Sequence, residues 1–406
     1  MNALNKTTTS GRPTHHPAWG AVFSMALGVV VLIASEFMPV SLLTPIAQDL
    51  AISQGQAGQA ISVSGFFAVI TSLLNTPLTG HLDRKKVLIG FTFLLTLSGL
   101  IVTFASNGVM FMSGRALLGV AIGGFWSMST ATVMRLVPTH AVAKGLALIN
   151  GGNALAATIA APLGSFLGQY IGWRGSFFIV VPLAVIAFIW QWRSIPSMPG
   201  NKDKNVSVNP FRLLRIPQVS LGMTGIMFFF MGQFAVFTYL RPFLEEITQI
   251  SVTQLSLLLL ALGGFGLIGT WFIGHLLQRR LFAYLIAIPL FMAVIAGLLI
   301  EMGTSFMAVG ILLALWGLIA TPMPVVWGLW LSKALPHDAE AGGGLMVAVI
   351  QAAITLGAGL GGVLFDSVGW WSPFAFGLIL LLGSAYFAWL TKNNSVKMNI
   401  SVVEYK

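Results

Sequence analysis

The chain reads as long apolar runs separated by short polar breaks. Twelve runs stand out, at about 18–45, 58–80, 87–105, 108–134, 145–170, 175–192, 218–241, 252–276, 281–300, 306–332, 342–366 and 371–391. Each is close to the roughly 20 residues an α-helix needs to cross hydrocarbon. Gly and Pro inside a run do not veto a helix there, because packing in membranes tolerates both. The pattern predicts an all-α membrane protein of twelve transmembrane helices. A polar tail over 1–17 leads into a six-helix bundle over 18–192. A polar, basic, Pro-containing linker over 193–217 separates it from a second six-helix bundle over 218–391, and 392–406 form a second tail. No short apolar core with a small-residue cleavage site follows the first tail, so a removable signal peptide is not expected.

Composition agrees with the pattern. Only 8% of the 406 residues are charged, against about 25% in soluble domains. With no Cys, disulfides, thiol chemistry and thiolate metal sites are excluded. The net charge of +10 would suggest nucleic acid if it were clustered on a soluble face. It is not. With the N-terminus in the cytoplasm, all but three of the 21 Lys and Arg fall on cytoplasmic segments, the exceptions being Arg115, Arg174 and Arg241. Positive charge retained inside gives both termini cytoplasmic and an even number of spans.

The halves repeat at an offset of about 197 residues. Gly80-His81-Leu82 answers Gly274-His275-Leu276, Gly119 answers Gly317, Arg135 answers Lys333, and Pro138 answers Pro336. Gly172-Trp173 answers Gly369-Trp370, Asn153 answers Gln351, and Pro45 answers Pro242. Glu36-Phe37 answers Gln233-Phe234. Six spans per half make this a parallel repeat, and in such transporters substrate binds near the midplane between the halves.

Glu36 is the one acidic residue deep inside an apolar run. A carboxyl in hydrocarbon costs a few kcal/mol or more, so its default reading is functional. A group that can gain and lose a proton there suits a proton-coupled machine. Arg115 lies about 10 Å into its helix and Glu36 about 13 Å into its own, counting 1.5 Å per residue from the same side. Two readings of Arg115 stand open: an interaction with Glu36, direct or through water, or a structural role bonding helix-end carbonyls. The amides Asn153, Gln233 and Gln351 are costly in lipid and should face the interior, either bonding between helices or contacting substrate. Gly119, Gly123 and Gly124 share a small-residue face that close helix packing explains. No metal-ligand cluster, nucleophile constellation or phosphate loop appears, so neither enzyme chemistry nor a cofactor or metal is expected.

At the level of motifs the chain resembles the major facilitator superfamily, in its drug:proton antiporter branch. The resemblance rests on Gly80-His81-Leu82-Asp83-Arg84-Lys85-Lys86, shortened and without its usual second Gly, on Arg115-x-x-x-Gly119-x-x-x-Gly123-Gly124, and on Ala161-Pro162-Leu163-Gly164-Ser165. It implies conformational roles for Pro162, Gly164, Asp83 and Arg84, and proton coupling at Glu36 with Arg115. Within the branch, Glu36 to Pro45, Gly124 to Met128, Met134 to Pro138 and Phe237 to Pro242 are similar to bacterial purine ribonucleoside efflux pumps. That similarity implies alternating-access export of a purine ribonucleoside, such as inosine or guanosine, in exchange for protons. It also implies a monomer in the bacterial inner membrane. Phe37, Trp126, Phe234, Tyr239 and Trp327 are then candidates to stack on a flat base, beside Asn153, Gln233 and Gln351. The competing readings are a drug or sugar exporter, and a membrane sensor that moves nothing.

Overall fold

The computed structural model describes residues 18–199, 210–276, 280–335 and 339–404. The tail 1–17, the middle of the linker, Pro336 and the last two residues lie outside the described residues. The elements are α1 (Trp19–Asp49), α2 (Gln54–Thr79), α3 (Arg84–Thr103), α4 (Gly108–Leu136), α5 (Val142–Ser194), α6 (Pro217–Thr238) and α7 (Leu240–Glu246). They continue with α8 (Val252–Leu276), α9 (Leu281–Met302), α10 (Phe306–Ala320), α11 (Met323–Ala334), α12 (Ala339–Val368) and α13 (Ser372–Glu404). Short 3-10 turns at Thr139–Ala141 and Pro210–Arg215 complete the order.

Eleven of the described helical stretches are long and apolar enough to cross a membrane. One, Lys144–Ser194, has 51 residues. At 1.5 Å per residue it would be roughly 77 Å long, far more than the ~30 Å of hydrocarbon. It turns at Gly172, where φ is 72° and ψ is 168°, and so crosses twice, giving twelve spans. The repeat-mate Gly369 has φ 127° and separates α12 from α13. Only Gly takes such angles at little cost, so the repeated Gly-Trp pair marks a repeated reversal. In the second half two spans are broken. Tyr239 divides α6 from α7, and Thr321–Pro322 divide α10 from α11.

Boundaries differ from the sequence pattern most at three places, one of them the start of α2, at Gln54 rather than near 58. α1 runs past Pro45 to Asp49 with both Pro39 and Pro45 inside it. α13 continues to Glu404, so the segment expected as a tail begins as helix.

In the first half α1 packs on α5 and α2 on α4, while α3 contacts both α4 and α5. In the second half α6 and α9 pack on α13, and α8 on α10. Small residues set these distances. A Cβ on Gly119 would strike the Ser64 carbonyl of α2, and one on its repeat-mate Gly317 would strike the Leu262 carbonyl of α8. The halves meet where α2 faces α12, α5 faces α8 and α1 faces α7. The hydrogen bonds that join them cluster from mid-depth to the end of the bundle farthest from the chain termini. Toward the termini, Gly151, Gly328, Gly343 and Gly344 have open space where a side chain would be.

Candidate functional site

The site grows from a backbone defect in α1. Proline has no amide proton, so Pro39 leaves the carbonyl four residues earlier without its helical partner. That carbonyl belongs to Ser35. Arg115 of α4 donates to it from Nη1 at 2.6 Å. The same guanidinium donates from Nη2 to the Glu36 carbonyl at 3.1 Å and to Ser64 Oγ at 3.1 Å, and from Nε to the Ala60 carbonyl at 3.1 Å. Arg115 is 1% exposed. It therefore ties α1, α2 and α4 together and brings its charge beside Glu36 without a direct bond to the carboxylate. The carbonyls it bonds lie inside α1 and α2 rather than at helix ends, and Glu36 shares this contact through its backbone.

Glu36 is 2% exposed. Its Oε1 accepts from Nε2 of Gln351, on α12 of the opposite half, at 3.5 Å, the outer limit of a hydrogen bond. Nε2 thus reaches across the seam, while the other amide atom of Gln351, Oε1, is buried without a partner, as is Oε1 of Gln233 on α6. Buried acceptors of this kind are costly unless something supplies a proton to them. Beside them Phe37 stacks on Phe234, centroids 5.7 Å apart and planes 30° apart. Phe237 meets Phe37 edge-on at 6.4 Å. Glu36 and Gln351 thus meet across the seam, and Phe37 of α1 meets Phe234 of α6 beside them, with Gln233 next to Phe234 in the chain.

Other candidates stand elsewhere. Trp126 is partly exposed on α4 and makes an edge contact with Phe125 at 6.1 Å. Asn153 is partly exposed on α5, on the termini side of the seam with α8. Tyr239 is fully buried, with its hydroxyl donating to the Ala358 carbonyl at 2.7 Å and its ring stacked on Phe365 at 5.3 Å. Trp327 is also fully buried, edge-on to Trp330 at 5.6 Å in the core of the second half.

The conformational candidates are structural joints. Pro162 frees the Thr158 carbonyl by the same rule, and a Cβ on Gly263 of α8 would come within 2.7 Å of that oxygen. Gly164 lets α5 approach α1, since a Cβ there would lie 2.8 Å from Ser41 Oγ. Asp83 caps α3, accepting from the Lys85 amide at 2.8 Å. It also accepts from Ser197 Oγ and from the Met198 amide at 2.9 Å, and the Arg84 amide donates to the Met198 carbonyl at 3.0 Å. Partial burial alone would raise the Asp83 carboxyl, but these donors and the nearby Lys86 charge outweigh it and hold it below its ordinary value.

Three polar residues were given no site role from the sequence. Gln191 is buried, accepting from Thr92 at 2.6 Å and donating to the Ser24 carbonyl at 3.2 Å. Arg241 donates to the Ser41 carbonyl, the one freed by Pro45. Asp366 of α12 accepts from the Gly55 amide at 3.0 Å. For Arg241, as for Arg115, a signal was present: each proline of α1 marks a free acceptor four residues back.

Two pseudo-symmetric sets of six spans around polar groups at their seam define the class: a multi-pass membrane protein built as a secondary transporter. The chain belongs to the Major Facilitator Superfamily, whose family model matches residues 25–349. It is 50% identical to the "Transcription regulatory protein OpdE" of Pseudomonas aeruginosa over 95% of this chain and 96% of that protein. It is 45% identical to the "Purine ribonucleoside efflux pump NepI" of Shigella sonnei, over 91% of this chain and 93% of that one. Among solved structures it resembles a bacterial homologue of the human lysosomal transporter Spinster, with TM-score 0.74 at 13% identity, over 95% of this chain and 98% of that one.

Proposed function

We propose that this chain exports purine ribonucleosides across the inner membrane in exchange for protons, by alternating access. The observation that carries the proposal is the buried Glu36, joined to Gln351 of the other half at the seam between bundles. A proton on or off this group changes what the seam holds, so protonation and the relative position of the halves are linked. The purine assignment draws on similarity to efflux pumps of that name. The basic asymmetry supports cytoplasmic termini; on that reading the end tied by cross-half hydrogen bonds faces outward and substrate reaches the site from inside. From there, substrate binding favours release of the Glu36 proton to the cytoplasm. After the halves rock, a proton from outside replaces the departing substrate. The unpartnered acceptors of Gln233 and Gln351 suit the N–H and hydroxyl donors of a nucleoside, with Phe37 and Phe234 beside its ring.

Uptake of labelled inosine, guanosine, free bases, sugars and dyes into inverted vesicles, with and without a pH gradient, tests this directly. Gradient-dependent accumulation of nucleosides is expected; accumulation of dyes or sugars alone would reassign the substrate. Topology is checked by a Cys at Asn201, clean because the chain has no native Cys. It should resist an impermeant reagent added outside intact cells.

A second reading, a regulatory membrane protein, is favoured by the similarity to a protein named as a transcription regulator. The two readings are compatible when the pump alters the level of a signalling solute. They separate if a transport-dead Glu36→Gln variant retains the full effect on gene expression.

A further inference from the structure

Pro45 repeats in α1 what Pro39 does about one and two-thirds turns earlier. It leaves the Ser41 carbonyl without a helical donor. The group that fills this vacancy comes from the other half: Arg241 of α7 donates to Ser41 from Nη1. Arg241 is 6% exposed. Glu245 steadies it from one turn on, accepting from Nε at 2.8 Å and lying 2.7 Å from Nη2. The same closed end carries a second cross-half contact of opposite sign. Asp366 of α12 places Oδ1 on the Gly55 amide at 3.0 Å and Oδ2 on Ser53 Oγ at 2.5 Å. Helix α2 begins at Gln54, so the carboxylate serves an amide that the helix cannot satisfy and sits at the positive end of its dipole. Gly55 permits this, since a Cβ there would fall 2.6 Å from Asp366 Cγ. Farther along the α2–α12 seam, Gln59 Nε2 donates to the Gly359 carbonyl at 3.0 Å and Ser62 Oγ to the Thr355 carbonyl at 2.8 Å.

We propose that Arg241 in the carbonyl socket made by Pro45, and Asp366 on the first turn of α2, are two independent latches that hold the far side of the transporter shut. The proposal rests on the alternating-access reading, because a latch has meaning only if that side opens. Each latch pairs a charged side chain with backbone groups of the opposite half, so separation of the halves must break both. Water entering the opening replaces the lost partners, which makes the latches reversible. The socket is the stronger, being buried, whereas Asp366 is exposed.

The test uses paired spin labels at Gln48→Cys and Glu246→Cys in the purified full chain. Both positions are exposed, at the far ends of α1 and α7. Neither takes part in a latch. Arg241→Gln, Pro45→Ala and Asp366→Asn should each enlarge the long-distance population. A lost bond to a charged group shifts a two-state equilibrium by about tenfold or more, with the smallest change for Asp366→Asn. Pro45→Ala returns an amide to Ser41, so adding it to Arg241→Gln should change nothing further, while Asp366→Asn should add to either. Unchanged distributions in the three single variants overturn the proposal. Full additivity of Pro45→Ala and Arg241→Gln overturns the socket. Should Arg241→Gln fail to fold, Pro45→Ala and Arg241→Lys decide the same point. The distances are read without substrate or a proton gradient, so a negative transport assay would leave this result standing, and the converse holds too.

Discussion

Helix α1 and its repeat-mate, the α6–α7 pair, start from matching sequence and end differently. Glu36-Phe37 and Gln233-Phe234 hold corresponding places, and the two phenylalanines stack on each other across the seam. Yet α1 is continuous through two prolines, whereas α6 ends at Thr238 and restarts as α7. The difference lies in what meets the freed carbonyls. In α1 each is taken by a buried arginine, Arg115 for Ser35 and Arg241 for Ser41. A defect with a dedicated donor need not break a helix, because its cost is the unsatisfied polar group and that group is satisfied. The halves also differ in chemistry. One carries an ionisable carboxyl and the other a near-isostere that has none, so shape can be symmetric while the ionisable group stands on one side only.

The most disruptive way to erase that difference is Glu36→Gln, which makes both halves carry an amide. Accumulation against a gradient driven only by a pH difference should fall to the leak level, while downhill exchange of substrate survives because the halves still rock. If the variant concentrates substrate as well as the parent, Glu36 does not carry the proton. The reverse exchange, Gln233→Glu in the Glu36→Gln background, asks whether the site or the half matters. Restored coupling would mean position near the seam suffices. Continued loss would assign the role to the setting that Arg115 creates in the first half.

Arg115 gives the next largest effect, and it appears as stability. Arg115→Gln leaves the Ser35 carbonyl buried and unpaired, at a cost of about 1–3 kcal/mol. Ala60 is less affected, since its carbonyl keeps a helical donor. Pro39→Ala returns the missing amide to Ser35, so it should recover part of the loss. A double-mutant cycle on the melting temperature of purified protein would then show coupling of about 1 kcal/mol. Strict additivity would mean that Arg115 and Pro39 act separately and that the defect is not what the arginine serves.

How much of this could be read from the chain depends on which physics is involved. Spans were legible because lipid demands long apolar runs whatever the tertiary packing. The reversals were legible through Gly172-Trp173 and Gly369-Trp370, where a positive φ admits little but glycine. Glu36 was legible because a lone acid in hydrocarbon is expensive. The extension of α1 past Pro45 to Asp49 was not, since proline locally argues for an end and the donor that meets the freed Ser41 carbonyl, Arg241, lies far along the chain. Nor was the placing of Tyr239 and Trp327. Aromatic identity says a side chain is large and apolar, but not whether it faces a seam or the core. Both are fully buried, Tyr239 bonded to Ala358 and Trp327 packed on Trp330.

The smallest expected effect concerns Asp83, at the start of α3 on the side of the chain termini. Its contacts described here stay within the first half, to the α3 start and to Ser197 and Met198 after α5. It differs in this from Asp366, the carboxylate that crosses between halves at the other end. Asp83→Asn keeps an acceptor for the cap but loses the charge, so the 195–199 segment should loosen with little change in transport. Asp83 is held below its ordinary value in the folded chain. Its contribution is therefore fully present above the unfolded value, near pH 4, and is lost as pH falls through the lower, folded value. Between pH 5 and 8 the parent and Asp83→Asn should keep a constant difference in protection of the Met198 amide against hydrogen exchange. The difference should close only in stronger acid. A difference that changed across neutral pH would show that another group governs this joint.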